Sequence, residues 1–197
     1  MVEDPTKIHV VRLLDAARCA EFVAGAAALR SWRGARSYTE ENVPFVDLNS
    51  RRHWTMSPAA MPALFDPLLR ELESKFTRYT NPANEPRLVL AQFALNRYEP
   101  GDFFVRHADA DPVHNPERRV SIVLYLSDDF TGGGTRFPTL DRTYKLSAGQ
   151  ALMFPSHYLH QGEPVESGTK YALVGFLCDL AVLQNAGVPS SNGGYYR

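Results

Sequence analysis

His107 and Asp109 stand two residues apart at the end of the apolar segment FFVRH. In an extended strand, residues i and i+2 point to the same face, so this imidazole and this carboxylate can grip one cation together. Alone, an H-x-D pair is common and most often marks a solvated strand end. A metal site needs at least a third ligand from elsewhere. His9 falls in an N-terminal strand segment, and His53 and His114 fall in loop sequence without a partner ligand nearby. His157 and His160 follow the strand segment GQALMFP and are better placed, and at this level the pattern leaves both open.

Two imidazoles and one carboxylate on one face of an octahedron leave three adjacent positions free, the arrangement of non-haem Fe(II) oxygenases. Ten residues beyond His160, Lys170 heads the apolar segment KYALVGFLC. An ammonium buried there needs an anionic partner, because an isolated buried cation is costly. A dicarboxylate whose other end chelates the metal would supply one; the bland alternative is a strand-end lysine in water. Gly132-Gly133-Gly134 has the composition of a phosphate cradle, but no Lys-Ser/Thr and no helix follow, so a tight hairpin is expected. Cys19 is expected inside a helix and Cys178 at a strand end, neither with the paired histidine of a catalytic thiol. The arginines between residues 30 and 52, Arg36 among them, read as a solvated loop in which one could clamp a substrate carboxylate.

These residues need elements to position them. Ile8 to Leu13 reads as a short strand, and Asp15 sits where an N-cap belongs, ahead of an Ala-rich helix to about Arg30. Between about Ala59 and Arg78, Pro62 and Pro67 argue against one unbroken helix; the expectation is an N-cap at Asp66 with Pro67 at the first helical position. After NPANEP come the short apolar segments RLVLAQFALNRY, FFVRH, VSIVLYL, TRFP, GQALMFP and KYALVGFLC, separated by turn chemistry. Helices first and many strands afterwards predict a mainly β sandwich or barrel with helices packed on one face. A parallel sheet is disfavoured, because no helical pattern lies between the later strands.

The chain of 197 residues carries 21 Lys+Arg against 22 Asp+Glu, a net charge of −1, which argues against nucleic acid or an anionic membrane as partner. Its apolar fraction is 44%; with the 9 Tyr set aside and the 13 Gly added it stays near the roughly 45–50% of globular chains. Two cysteines exclude a disulfide framework, and the N-terminus shows no export signal, so a cytoplasmic protein is expected.

The sequence resembles the prolyl 4-hydroxylase-like branch of the Fe(II)/2-oxoglutarate dioxygenases from about Leu88 to Cys178. The resemblance is carried by Tyr98-Glu-Pro-Gly101, Phe104-Val-Arg-His107-Ala-Asp109, Arg119-Val-Ser-Ile-Val-Leu-Tyr125-Leu126 and Gly132-Gly-Gly-Thr135-Arg-Phe137-Pro138. It continues through Gly149-Gln-Ala-Leu-Met-Phe154-Pro155, His160, Pro164-Val165, Gly168 and Lys170. It implies a double-stranded β-helix (jelly-roll, cupin-like) core over about residues 86–180, helical support to about residue 80 and a flexible tail from about residue 185 to 197, all one domain. It further implies Fe(II), with 2-oxoglutarate and O2 as co-substrates. His107, Asp109 and His160 resemble the iron ligands; the spacing to Lys170 and the flanking LHQGEPV set His160 above His157. Lys170 resembles the basic residue that pairs with the distal carboxylate of 2-oxoglutarate, and Tyr125 a tyrosine on the same carboxylate. Tyr98 matches a pocket tyrosine and Thr135 a nearby threonine; Phe176 stands where many relatives have Trp. The implied activity is hydroxylation of an unactivated C–H bond in an amino-acid-like small molecule or a peptidyl residue such as proline, with release of succinate and CO2. The rivals are a cupin-like isomerase or hydrolase and a non-catalytic metal- or ligand-binding module. The isomerase or hydrolase needs no basic partner for 2-oxoglutarate, so Lys170 and Tyr125 argue against it, and an intact triad argues against the module.

Overall fold

The computed structural model describes residues 7–35, 37–38, 44–45, 47–81, 83–84, 86–113 and 115–185. Arg36, His114 and the tail beyond residue 185 lie outside the described residues. The chain begins with β1 (His9–Arg12), and Asp15 then caps α1 (Ala16–Ala27), its carboxylate accepting the Arg18 amide at 2.7 Å. The stretch without regular signal folds into β2 (Arg33–Gly34), β3 (Ser37–Tyr38), β4 (Pro44–Phe45), β5 (Arg51–Arg52) and β6 (Trp54–Met56). Then α2 runs unbroken over Pro62–Lys75, through Pro67. This corrects the expected start at Asp66. Pro62 takes the first helical position, where a missing N–H costs nothing, and Pro67 forfeits one backbone bond. The burial of Phe65, Leu68, Leu69 and Leu72 outweighs that loss.

The remaining strands are β7 (Leu88–Tyr98), β8 (Phe103–His107), β9 (Arg118–Tyr125), β10 (Thr131–Gly132), β11 (Thr135–Phe137), β12 (Arg142–Tyr144), β13 (Gln150–Pro155), β14 (His160–Gly162), β15 (Val165–Ser167) and β16 (Lys170–Asp179), followed by α3 (Leu180–Asn185). They form a larger sheet, β1-β13-β9-β16-β7-β6-β2, and a smaller one, β12-β11-β14-β8-β5, with every ladder antiparallel. This is the expected double-stranded β-helix. The glycine run is not a hairpin: β10 pairs with β15, while β11 joins the smaller sheet. Gly132 and Gly133 take φ of +66° and +63°, and a Cβ on Gly132 would collide with the Pro164 carbonyl.

Alternation sorts the larger sheet's side chains. Val120, Ile122 and Leu124 of β9 and Leu173 of β16 face outward and pack with Phe22 of α1 and Phe65 and Leu69 of α2. The other parity, Ser121, Val123 and Tyr125 with Lys170, Ala172, Val174 and Phe176, faces the smaller sheet. Phe154 of β13 meets Phe137 of β11 edge-on at 4.9 Å, which closes the two sheets on each other. A bulge interrupts β7 against β16, with Gln92 at φ +56°; the Phe93 ring lies over Gly175, where a side chain would collide. No described helix is long and apolar enough to cross a membrane.

Candidate metal centre

β8 and β14 are neighbours, and their register sets His160 directly opposite His107. Asp109 follows two residues after His107, its backbone amide bound to the Ser156 carbonyl at 2.9 Å. The three side chains converge, with one ligand atom from each lying within 4.8 Å of the others. The carboxylate sits between the rings: Oδ1 is 3.5 Å from His107 Nε2, and Oδ2 is 3.5 Å from His160 Nε2. Each imidazole donates its Nδ1–H to a carbonyl two residues back, His107 to Val105 at 2.8 Å and His160 to Tyr158 at 3.0 Å. Those bonds fix the tautomer and turn both Nε2 lone pairs toward Asp109. Burial would raise the Asp109 carboxyl, but the His107 and His160 rings beside it and the Ser121 hydroxyl hold it well below the usual carboxylate range. Burial pushes the His160 imidazole below its ordinary value, with Asp109 partly opposing. Neutral imidazoles and an ionised carboxylate are the protonation states that bind a cation. The donor set and its one-sided arrangement fit a ferrous ion. His157, by contrast, is exposed and packs on Tyr158.

A small cavity of about 80 Å³ opens from this cluster, lined at one end by His107, Asp109 and His160 and at the other by Lys170, Thr135 and Tyr98. Lys170 is 5% exposed, and its Nζ donates to the Gly133 carbonyl at 2.7 Å and the Tyr125 hydroxyl at 3.1 Å. The ammonium also lies over the Tyr125 ring, 4.2 Å from its centroid. It forms no ion pair with any described residue. Tyr125 does not itself line the cavity. Its hydroxyl stands 3.0 Å from Thr135 Oγ1 and acts on the cavity through that residue and Lys170. Burial pushes the Tyr98 phenol up, so it stays protonated. Phe176 lines a second, larger cavity, which adjoins the first at Asn96, Phe104, His107, Asp109 and Val174.

Three contributors were not given a role from sequence. Ser121, on the inward face of β9, donates to Asp109 Oδ2 at 2.6 Å; its position opposite Phe154 is a matter of register, although a lone polar residue in VSIVLYL was the available signal. His53 is no solvated loop residue: it is 6% exposed and stacks on Tyr98 at 4.6 Å. Arg118 lies over Phe176 at 3.9 Å and donates to the Asp109 carbonyl at 3.1 Å. Cys19 and Cys178 are buried and free, and burial pushes their thiols up to about 11 and about 12, which leaves both inert.

Residues 93–178 match the model of the 2OG-Fe(II) oxygenase superfamily. A PKHD-type hydroxylase of Idiomarina loihiensis is 33% identical over 100 residues, 49% of this chain and 46% of its own. Another, of Synechococcus elongatus, is 37% identical over 91 residues, 42% of this chain and 41% of its own. The chain spans about half the length of the curated relatives it matches. Among solved structures, a prolyl hydroxylase of Trichoplax adhaerens in complex with a hypoxia inducible factor oxygen degradation domain peptide fragment superimposes with a TM-score of 0.67 at 15% identity, over 93% of this chain and 87% of that one. A Burkholderia pseudomallei oxidoreductase of the 2OG-Fe(II) oxygenase family gives 0.65 at 16% identity, over 87% and 85%. At these identities the likeness is one of fold.

Proposed function

We propose, taking the chain as a prolyl 4-hydroxylase-like member of the 2OG-Fe(II) oxygenase superfamily, that it is an Fe(II)- and 2-oxoglutarate-dependent hydroxylase. The observation that carries this is one small cavity bounded at one end by two imidazoles and a carboxylate and at the other by a buried lysine that has no ion pair among the described residues. His107, Asp109 and His160 would hold the metal. When bound, iron and 2-oxoglutarate supply the oxidising chemistry, by which O2 converts the co-substrate to succinate and CO2 and a C–H bond to C–OH. The chain's own residues hold and exclude. Ser121 fixes the Asp109 oxygen that faces His160. Lys170 would pair with the distal carboxylate of 2-oxoglutarate, with Thr135 and Tyr125 orienting the ammonium and Tyr98 forming the wall beside it. Val123, Ala172 and Val174 add apolar wall, with Asn96 the polar exception, which limits the water that can compete for those bonds.

The larger cavity, which shares His107 and Asp109 with the smaller one, would take the substrate: an amino-acid-like small molecule or a peptidyl residue such as proline. The hydroxylase names of the relatives and the peptide-bound neighbour support this class. Anaerobic addition of Fe(II) and then 2-oxoglutarate tests the reading. A visible metal-to-ligand charge-transfer band should appear only with both present, followed on aeration by succinate. A metal-binding barrel without the co-substrate would give neither.

A further inference from the structure

The larger cavity carries charge that the hydroxylation chemistry leaves unused. It encloses about 690 Å³, and Arg33, Arg51 and Arg118 bring three guanidiniums to its wall. Asp109, occupied with the two imidazoles, is the one carboxylate on that wall among the described residues. Two of the arginines adjoin the metal cluster, each through a different ligand. Arg51 stands over the Phe104 ring at 5.2 Å, and Phe104 stacks on His107 at 3.7 Å. Arg118 stands over Phe176 and binds the backbone of Asp109. Arg33 is exposed at the cavity rim.

Arg118 is also held with unusual care. Its Nε donates to Gln92 Oε1 and its Nη1 to the Asp109 carbonyl, while Nη2 has no partner among the described residues. Gln92 in turn donates to Glu117 at 2.6 Å, so its amide is clamped between an acid behind it and the guanidinium in front. Glu117 does not line the cavity. Gln92 makes these bonds from φ +56°, a left-handed conformation that costs a non-glycine residue energy and that recurs where a site needs a side chain held in place. His53 adds a buried imidazole on the same wall, and its Nδ1 has no hydrogen-bond partner among the described residues.

We infer that the substrate is an acid, and that its carboxylate docks on the free edge of Arg118, with Arg51 and Arg33 adding attraction. A guanidinium pre-oriented by two bonds loses little freedom when it pairs with a carboxylate. Such a carboxylate could belong to a free amino-acid-like acid or to an acidic side chain of a peptide. The inference rests on the hydroxylase reading above, and its failure is separable from the failure of that reading.

The test uses the protein loaded anaerobically with Fe(II) and saturating 2-oxoglutarate, with perturbation of the charge-transfer band as the readout of binding. One arm titrates N-acetylated amino acids, N-acetyl-L-proline included, against their primary amides. The other titrates capped dipeptide amides containing Glu or Asp against those containing Gln or Asn. In one arm the acids should bind about tenfold or more tighter than their neutral partners, the size of one charge-assisted bond. Arg118→Gln should erase that preference and Arg118→Lys should keep part of it. Gln92→Ala should reduce the preference through Arg118 while the 2-oxoglutarate band persists. Arg51→Gln, which should weaken the same preference, gives a second variant should Arg118→Gln fail to fold. A panel in which no acid perturbs the band, an equal response to acids and amides, or a preference that survives both substitutions overturns the inference. A wild-type protein with no band at all overturns the hydroxylase reading itself.

Discussion

Lys170→Met separates the two ends of the small cavity. The ammonium is 5% exposed and donates to the Gly133 carbonyl and the Tyr125 hydroxyl, which leaves one N–H and an unpaired charge directed to where a dicarboxylate would end. Truncating one member of a desolvated charge pair costs about 2–5 kcal/mol, much of it from the charge left behind. Thr135 and Tyr125 remain as polar neighbours, so the lower end is expected, a loss of roughly thirtyfold in 2-oxoglutarate affinity. The effect on the protein without ligands is different. Losing the lysine leaves the Gly133 carbonyl only the long bond from the Tyr125 hydroxyl at 3.4 Å, a cost of at most about 1–3 kcal/mol, but the variant no longer buries an ammonium, whose desolvation costs several kcal/mol. The two nearly cancel, so stability should stay within about 2 kcal/mol of wild type or rise. Anaerobic titration of the charge-transfer band gives the 2-oxoglutarate affinity, competition with a chromogenic chelator gives that for Fe(II), and urea unfolding gives stability. Fe(II) affinity without 2-oxoglutarate should not change. A 2-oxoglutarate affinity within about threefold of wild type would refute the reasoning.

His160→Ala should lose Fe(II) and succinate formation together, while exposed His157→Ala should keep both; the reverse pattern would mean that the strand containing His160 pairs with β8 in another register. Ser121→Ala removes a 2.6 Å bond to the carboxylate and should weaken Fe(II) about tenfold or more by chelator competition, with the circular dichroism spectrum intact; an unchanged affinity would show that the hydroxyl does not position Asp109. Burial lowers the His53 imidazole to about 3, so between that value and about 6.5 the unfolded chain takes up a proton that the folded one refuses. Wild-type stability should therefore fall as pH drops through this window, and His53→Phe, which keeps the stack on Tyr98, should flatten that fall by a few kcal/mol in urea unfolding at pH 7 and pH 4; equal slopes would contradict the burial.

What the sequence disclosed of the fold follows element length. β9 and β16 span 8 and 10 residues, enough for the period of two to show which parity meets α1 and α2 and which meets the other sheet. β2, β5 and β6 hold two or three residues and have no period to read. β6 and β5 exist because β7 and β8 offer them partners far along the chain, Trp54 opposite Arg97 and Arg51 opposite Phe104, and β2 then pairs on β6. α2 failed for the opposite reason. Pro67 is a strong local signal, and a fully buried Phe65, Leu68 and Leu69 overrode it, a tertiary effect invisible to propensity.

The site divides along the same line. An i, i+2 spacing pointed to His107 and Asp109 as a pair, and a lone cation ahead of an apolar strand marked Lys170. β8 nevertheless ends at His107, and Asp109 reaches the cluster from beyond the strand, its amide held by Ser156. The choice between His157 and His160 needed more, because three residues around a turn carry no face information until the register of β14 against β8 puts His160 across from His107. Ser121, His53 and Arg118 went without a role because each acts through a residue distant in sequence: Asp109 for Ser121, Tyr98 for His53, Gln92 and Phe176 for Arg118. Residues that touch the chemistry directly therefore announced themselves by type, and those that orient them are found through register. Gln92 is the extreme case. In RLVLAQFALNRY it reads as one polar residue in a strand, yet the left-handed turn it makes shifts the face of everything before it in β7 and sets its amide against Arg118. A strand without that bulge would keep the metal ligands in place and lose the fixed guanidinium beside them, which is why Gln92→Ala should alter what the larger cavity accepts before it alters what the metal does.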